Sequence, residues 1–481
     1  MSASCTRRSF LRFATLGAGA ALLAACQPKV VEKIVQQTVV VEKPVEKVVE
    51  KQVEVTKVVQ QVVKETVIVE AKPAAPTTKE VRILMASWAM DEIPFDAAAR
   101  SFNEAHPDTK IIMESTGEGW DTKVMAQEAA GALEWNAAGI ASSASSSLPR
   151  WVLSGMVQPM DDYVAGSQEK GAAELFSDML PTLRKASTHD GKFWGLPYSY
   201  ENISFNWRTD FFAAVGAKEP PATWADWLPL MQELKKWGAE QKIIATSFIP
   251  DLDASVGAMI YSSLDNPFDD NMLLRWETPE AIAALKLYKQ AVSEGLTPPH
   301  GFDNWLDAYY AGRLASVQAQ SSRGVWGQLA FGTDKVVTSQ IPVLTKGKGA
   351  GTPFWGNCTS LLNKAPFPQE AMDFLIYAIG PQNTALQQAI IKSGKTPVYQ
   401  SAYDKIINGD PAYGTFKWMN AMRDQVDRSV SRPFNNYFSI NDGVYAKYIV
   451  KYTEPDSTLT AEEVAASIIK DTKAEIAKQK V

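Results

Sequence analysis

The stretch 191–212, GKFWGLPYSYENISFNWRTDFF, constrains this chain more than any other. It succeeds a turn at Asp190-Gly191 and opens with a short aromatic run closed by Gly195 and Pro197. Ile203, Phe205 and Trp207 then alternate with Asn202, Ser204 and Asn206. A period of two marks a strand with one apolar and one polar face. Asp210-Phe211-Phe212 starts a short helix, which Gly216 and Pro220-Pro221 end. The pattern predicts a polar, aromatic-lined turn at 198–202 that feeds a core strand. Glu201 stands at the start of that strand, where a side chain is held rigidly and still faces a cleft.

The segments around it alternate strand and helix. Val81, Ile83 and Met85 form one face of a first strand that ends at Ser87-Trp88. Phe95, Ala98, Ala99 and Phe102 share a helix face, Pro107 stops that helix, and Lys110–Glu114 is a second strand. This βαβ start predicts an α/β fold with an open sheet, whose ligands lie beyond the carboxyl ends of the strands; Trp88 and Asp91 sit at such an end. Thr223 with Asp226, Thr278-Pro279-Glu280, and Thr460 with Glu463 read as helix caps. From about residue 80 to 481 the chain is long enough for two lobes with separate cores.

The order Gly191-Lys192, Gly195-Leu196-Pro197, Asn206 to Phe211, Gly216, Pro220-Pro221 and Thr223-Trp224 resembles the family 1 extracellular solute-binding proteins, the maltose-binding-like branch. Further likenesses are Leu153 to Asp161, Tyr309 with Gly312 to Ala315, Gly324-Val325-Trp326, and Thr396-Pro397. At 138–140 the chain departs, with Ala-Gly-Ile where the family has Pro-Asp-Val or Pro-Asp-Ile. The resemblance implies a two-lobed, periplasmic-binding-protein-like type II fold with a ligand cleft between lobes. Lobe one is then expected at 80–200 and 350–395, and lobe two at 201–349 and 396–481. It further implies a substrate-binding component of an ABC importer, which captures a sugar or oligosaccharide and delivers it to permease subunits. On this resemblance Glu201 supplies a ligand-binding carboxylate, and Trp326 and Tyr437 supply stacking aromatics.

Aromatic residues at predicted strand ends and loops agree with a carbohydrate ligand. Sugars present flat C–H patches to aromatic faces and hydroxyls to Asp, Glu, Asn and Arg. The expected ligand-binding set is Trp88, Asp91, Trp120, Ser143, Tyr200, Glu201, Arg323, Trp326, Trp355, Asn436 and Tyr437, with Asn202 and Asn357 nearby. Ser143 lies in the serine run 142–147, which reads equally well as a flexible loop. The chain has three histidines, His106, His189 and His300, none with metal-ligand spacing to a partner. No phosphate-binding glycine loop and no nucleophile elbow is present. A non-enzymatic receptor without cofactor or metal is therefore expected. One alternative within the class is a receptor for a peptide or a polyol phosphate. An alternative outside it is a surface polysaccharide hydrolase. The formal net charge of −6 argues against nucleic acid as a partner.

Residues 1–26 read as an export signal. Thr6-Arg7-Arg8-Ser9-Phe10-Leu11-Arg12 resembles a twin-arginine motif, and Leu23-Ala24-Ala25-Cys26 resembles a lipobox that would make Cys26 the lipid-bearing N-terminus. Residues 27–79, rich in Val, Glu, Lys and Gln, lack the large side chains of a core and read as a tether. These features predict a protein anchored by lipid to the outer face of the bacterial cytoplasmic membrane. Cys358 is the one cysteine left in the body, so no intrachain disulfide is expected there.

Overall fold

The computed structural model describes residues 78–117, 120–141, 147–271, 273–300, 304–346, 349, 351–429, 434–435 and 437–479. The expectations for the signal, Cys26 and the tether, and those for Ser143 and Asn436, lie outside these residues.

The chain starts as its alternation predicts. Strand β1, Lys79–Ala86, runs into the short helix α1, Ser87–Glu92, and then into α2, Phe95–Ala105. Phe95, Ala98, Ala99 and Phe102 are buried on one face of α2. β2, Thr109–Thr116, returns parallel to β1, and β3, Ala137–Ala141, pairs parallel on the other side of β1. Helix α3, Trp120–Ala129, lies between β2 and β3 in sequence. Val81, Ile83, Phe102 and Ile111 pack with Phe374 and Leu375 of the helix Pro368–Ile379 in a first hydrophobic core.

A small hairpin, β4 (Thr188–His189) and β5 (Lys192–Phe193), turns at Asp190-Gly191 as expected. The next strand corrects the expectation of a turn at 198–202. β6 is one unbroken strand of 13 residues, Leu196–Arg208, buried along its whole length. Its first part pairs antiparallel with β10, Phe354–Leu361, and its second part pairs with β8, Ser316–Gln320, and β9, Val336–Ser339. These partners satisfy the backbone through 198–202, so no turn is needed there. Pro197, which has no N–H to donate, sits where the β6–β10 register slips. With β7, Ser247–Phe248, the path is β2-β1-β3-β10-β6-β8-β7, and β9 joins at β6.

The second core gathers around the far half of β6. Ile203, Phe205 and Trp207 pack with Trp224 and Trp227 of α4, Trp224–Gly238, and with Leu285 of α5, Pro279–Ser293. Capping begins these helices as predicted. Asp226 N donates to Thr223 Oγ1 at 3.2 Å, and Thr223 Oγ1 donates back to Asp226 Oδ2 at 2.7 Å. Ala281 N donates to Thr278 Oγ1 at 3.2 Å. Next come α6, Trp305–Tyr310, and α7, Ser322–Phe331.

The last part of the chain divides between the cores. The segment containing α8, Trp418–Asp427, places Val398, Tyr403, Met419 and Val426 in the first core. The expectation that everything after 396 joins lobe two is corrected accordingly, because these apolar side chains pack in the first core. Among the described residues, α9, Tyr437–Thr453, and α10, Ala461–Gln479, return to the second core, through Val444, Ile449, Val464 and Ile468. The Thr460–Glu463 box starts α10. Two main cores joined through the long strand β6 make this the two-lobed type II architecture.

Candidate ligand-binding site

The crossing of β6 and β10 sets the site. Tyr200 and Asn202 face one side of β6: the Tyr200 hydroxyl pairs with that of Tyr403 at 2.7 Å, and Asn202 Nδ2 donates to Met422 O at 3.2 Å. Glu201 points to the other side, directly opposite Trp355 on β10. Ser199 and Asn357 are the next pair on the same face of the ladder, with Asn357 Nδ2 donating to Ser199 Oγ at 3.0 Å. Trp355 is half-buried against the second core, and its indole N–H donates to Asp253 Oδ2 at 2.9 Å. The ring is thereby fixed at both ends, beside one carboxylate and hydrogen-bonded to another.

Glu201 is 9% exposed, and its Oε1 is buried without a hydrogen-bond partner among the described residues. The same holds for Gln320 Oε1, Ser321 Oγ, and Arg323 Nε and Nη1. These groups are neighbours through the strands: Gln320 pairs with Ile203, and Ser321 N donates to Asn202 O at 3.0 Å. Buried polar atoms are nearly always partnered in folded proteins, so these unpartnered atoms, on residues linked through the β6–β8 pairing, are candidates for partners from outside the chain.

Helix α7 brings aromatic surface to this group. The Arg323 guanidinium lies 4.0 Å over the Trp326 ring and 5.7 Å from that of Trp305. Trp326 stacks on Tyr310 at 6.2 Å with ring planes 23° apart. Burial raises the Tyr310 hydroxyl pKa, and the nearby Arg323 charge opposes this. α7 comes this close to β9 because residue 324 is glycine: a Cβ there would lie 1.7 Å from Thr338 Oγ1.

From the first lobe, Trp88 on α1 packs against the core edge with the Lys395 ammonium 5.0 Å above its ring. Lys395, itself buried, makes an ion pair with Glu92. The next residue, Thr396, bridges the backbone of Tyr200. Asp91, on the same helix, is exposed.

The structure pairs Glu201 with Trp355 across β6 and β10, stacks Arg323 on Trp326 in α7, and places Trp88 at the carboxyl end of β1. It does not bring Tyr200 to them. That side chain is fully buried on the opposite face, and burial raises its hydroxyl pKa; its expected ligand contact is corrected to a core hydrogen bond. Tyr437 begins α9 and, with Asn435, Asp270 and Lys473, lines a different cavity of about 530 Å³ against α10. Trp120 is the first residue of α3, and its side chain lies outside the described part. Sequence reasoning missed Gln320, Asp253, Glu92 and Lys395. A polar residue ending the buried strand Ser316–Gln320 was the available signal for Gln320; the others are set by tertiary packing alone. Among the described residues no group of His, Cys, Asp and Glu could hold a metal ion, and no helix is long and apolar enough to cross a membrane.

This arrangement defines a class: a two-lobed α/β fold whose two main cores are joined through β6. The sequence profile of the bacterial extracellular solute-binding proteins matches residues 97–415, and the chain belongs to that family. Two similar curated relatives, from Brucella abortus (strain 2308) and Brucella suis biovar 1 (strain 1330), are named as binding proteins; each is 26% identical over 232 residues, 46% of this chain and 52% of theirs. The chain thus spans about half the length of those relatives. Among solved structures, the sugar-binding protein MalE of Xanthomonas citri aligns with a TM-score of 0.69 at 16% identity, over 84% of this chain and 98% of that one. An ABC substrate-binding protein of Listeria monocytogenes in complex with cycloalternan aligns at 0.68 and 16%, over 83% and 99%. The cyclic alpha-maltosyl-1,6-maltose binding protein of Arthrobacter globiformis aligns at 0.64 and 18%, over 82% and 98%. At these identities the likeness establishes the fold.

Proposed function

We propose that the protein captures a carbohydrate between its lobes and delivers it to the permease of an ABC importer, without chemical conversion. The observation that carries this reading is the set of unpartnered buried polar atoms on Glu201, Gln320, Ser321 and Arg323, with Trp355 fixed opposite Glu201 and Arg323 stacked on Trp326. A sugar ring would lay its C–H face on an indole and share its hydroxyls with the carboxylate, amide and guanidinium. Sugar hydroxyls both donate and accept, which suits a set containing Glu201 as acceptor and Arg323 as donor. The sugar ligands named for the similar structures support the same class of ligand. A thermal-shift screen of mono- and oligosaccharides tests it. A sugar that raises the melting temperature and is recovered unchanged supports the receptor; turnover of a polysaccharide would overturn it.

The same reading includes export along the twin-arginine route and lipid attachment at Cys26, supported by Arg7-Arg8 and by Leu23-Ala24-Ala25-Cys26. Cys26→Ala would then release the protein from the membrane fraction, and retention there would refute the anchor.

A further inference from the structure

The face of β6 opposite Glu201 is covered by α8, through the bond from Asn202 Nδ2 to Met422 O. On that covered side a second cavity, of about 370 Å³, opens between α8 and the second core. Gln425 and Arg428 line it from the α8 side, Pro220 and Ile341 from the other, and Lys346 and Glu219 also face it. Gln425 is 2% exposed, and its side-chain oxygen is buried without a hydrogen-bond partner among the described residues. That oxygen calls for a donated hydrogen. Lys346 and Arg428, both exposed, set two cations against the single carboxylate of Glu219 among the described lining residues. Pro220 and Ile341 supply a carbon wall. A hydroxyl donor for Gln425, anionic oxygens for the two cations and a short carbon skeleton between them describe one chemical class.

We propose that this cavity is a second ligand site, for a small hydroxycarboxylate, and that its occupancy is linked to that of the Glu201 cleft. The linkage arises from where the walls are rooted. α8 is held in the first core by Met419 and Val426, whereas Ile341 belongs to the second core. Any change in the angle between the cores changes the spacing of these walls. An occupant touching both binds the two arrangements unequally and shifts their populations. The linkage rests on the proposed carbohydrate cleft; the binding site itself does not.

Titration calorimetry of the full chain with citrate, which carries carboxylates and a hydroxyl, tests both parts. The expected result is one saturable site, weakened about tenfold by Arg428→Gln or by Lys346→Gln and unchanged by Glu201→Gln. Both cations are exposed, so these substitutions spare the cores, and unchanged melting temperatures verify this. Absence of saturable binding, equal binding in Arg428→Gln, or loss in Glu201→Gln would overturn the site. With the sugar found by screening present at saturation, citrate affinity changes, and sugar affinity changes by the same factor with citrate present. Citrate binding with unaltered sugar affinity would overturn the linkage alone. Citrate binding by a protein that takes no sugar would overturn the carbohydrate reading and leave the second site standing.

Discussion

Glu201 and Trp355 stand directly opposite each other on adjacent antiparallel strands, where β6 passes from the first core toward the second. The backbone ladder fixes their spacing, and Asp253 fixes the far end of the indole. A carboxylate and an aromatic face are therefore presented together without dependence on a loop. Glu201→Gln keeps the shape and removes the charge. Replacing a charge-assisted hydrogen bond by a neutral one is expected to weaken sugar binding about tenfold, with little change in the melting temperature of the unliganded protein. Calorimetry and thermal unfolding on the one variant check both halves; undiminished affinity would remove Glu201 from the site.

Trp326 is expected to act through its face. It holds Arg323 on one contact and Tyr310 on another while remaining partly exposed. Trp326→Ala should lower affinity by about 2 kcal/mol or more, as for other buried aromatic anchors at interfaces. The ligand would then raise the melting temperature less than in the parent protein. A sharp fall in unliganded stability with intact affinity would instead make Trp326 a packing residue.

Tyr200 supplies the contrasting case. Its hydroxyl bonds to that of Tyr403 on the face away from Glu201, with both rings in the first core. Tyr200→Phe should cost about 1 kcal/mol of stability, measured by denaturant unfolding, because the Tyr403 hydroxyl loses its partner. Sugar affinity should not move, and a large loss would return Tyr200 to the cleft.

These three residues show what was legible in the sequence. The alternation at 203–207 revealed a half-polar strand because its period is local. The caps at Thr223, Thr278 and Thr460 were legible for the same reason: the partner is three residues away. Glu201 and Trp326 were reached through motif order. The face of Tyr200 was not legible, since an expected turn at 198–202 concealed the continuous strand. That strand exists because β10, far along the chain, pairs with it. Gln320 and Asp253 could not be assigned from sequence, because their roles depend on register and packing across the sheet. The docking of residues 398–426 on the first core was concealed likewise: apolar periodicity shows that a helix buries a face, and not which core receives it.

His300 makes the stability of the protein depend on pH. Burial holds its imidazole pKa below the ordinary 6.5, with Asp442 opposing the shift. The unfolded chain therefore binds a proton more readily than the native one. The contribution is full above the unfolded value of about 6.5 and is lost as the pH falls below it. The melting temperature should drop between about pH 7.5 and about pH 5.5, and His300→Asn should shrink that drop. Equal drops in the parent and the variant would show that His300 does not contribute.

Calorimetric titration of the unconverted sugar into the parent protein and into Glu201→Gln tests the central claim most directly. The account predicts one saturable site in the parent, an affinity about tenfold lower in the variant, and sugar recovered intact from both. Saturable binding of equal strength in the two proteins, or chemical conversion of the sugar, would contradict it.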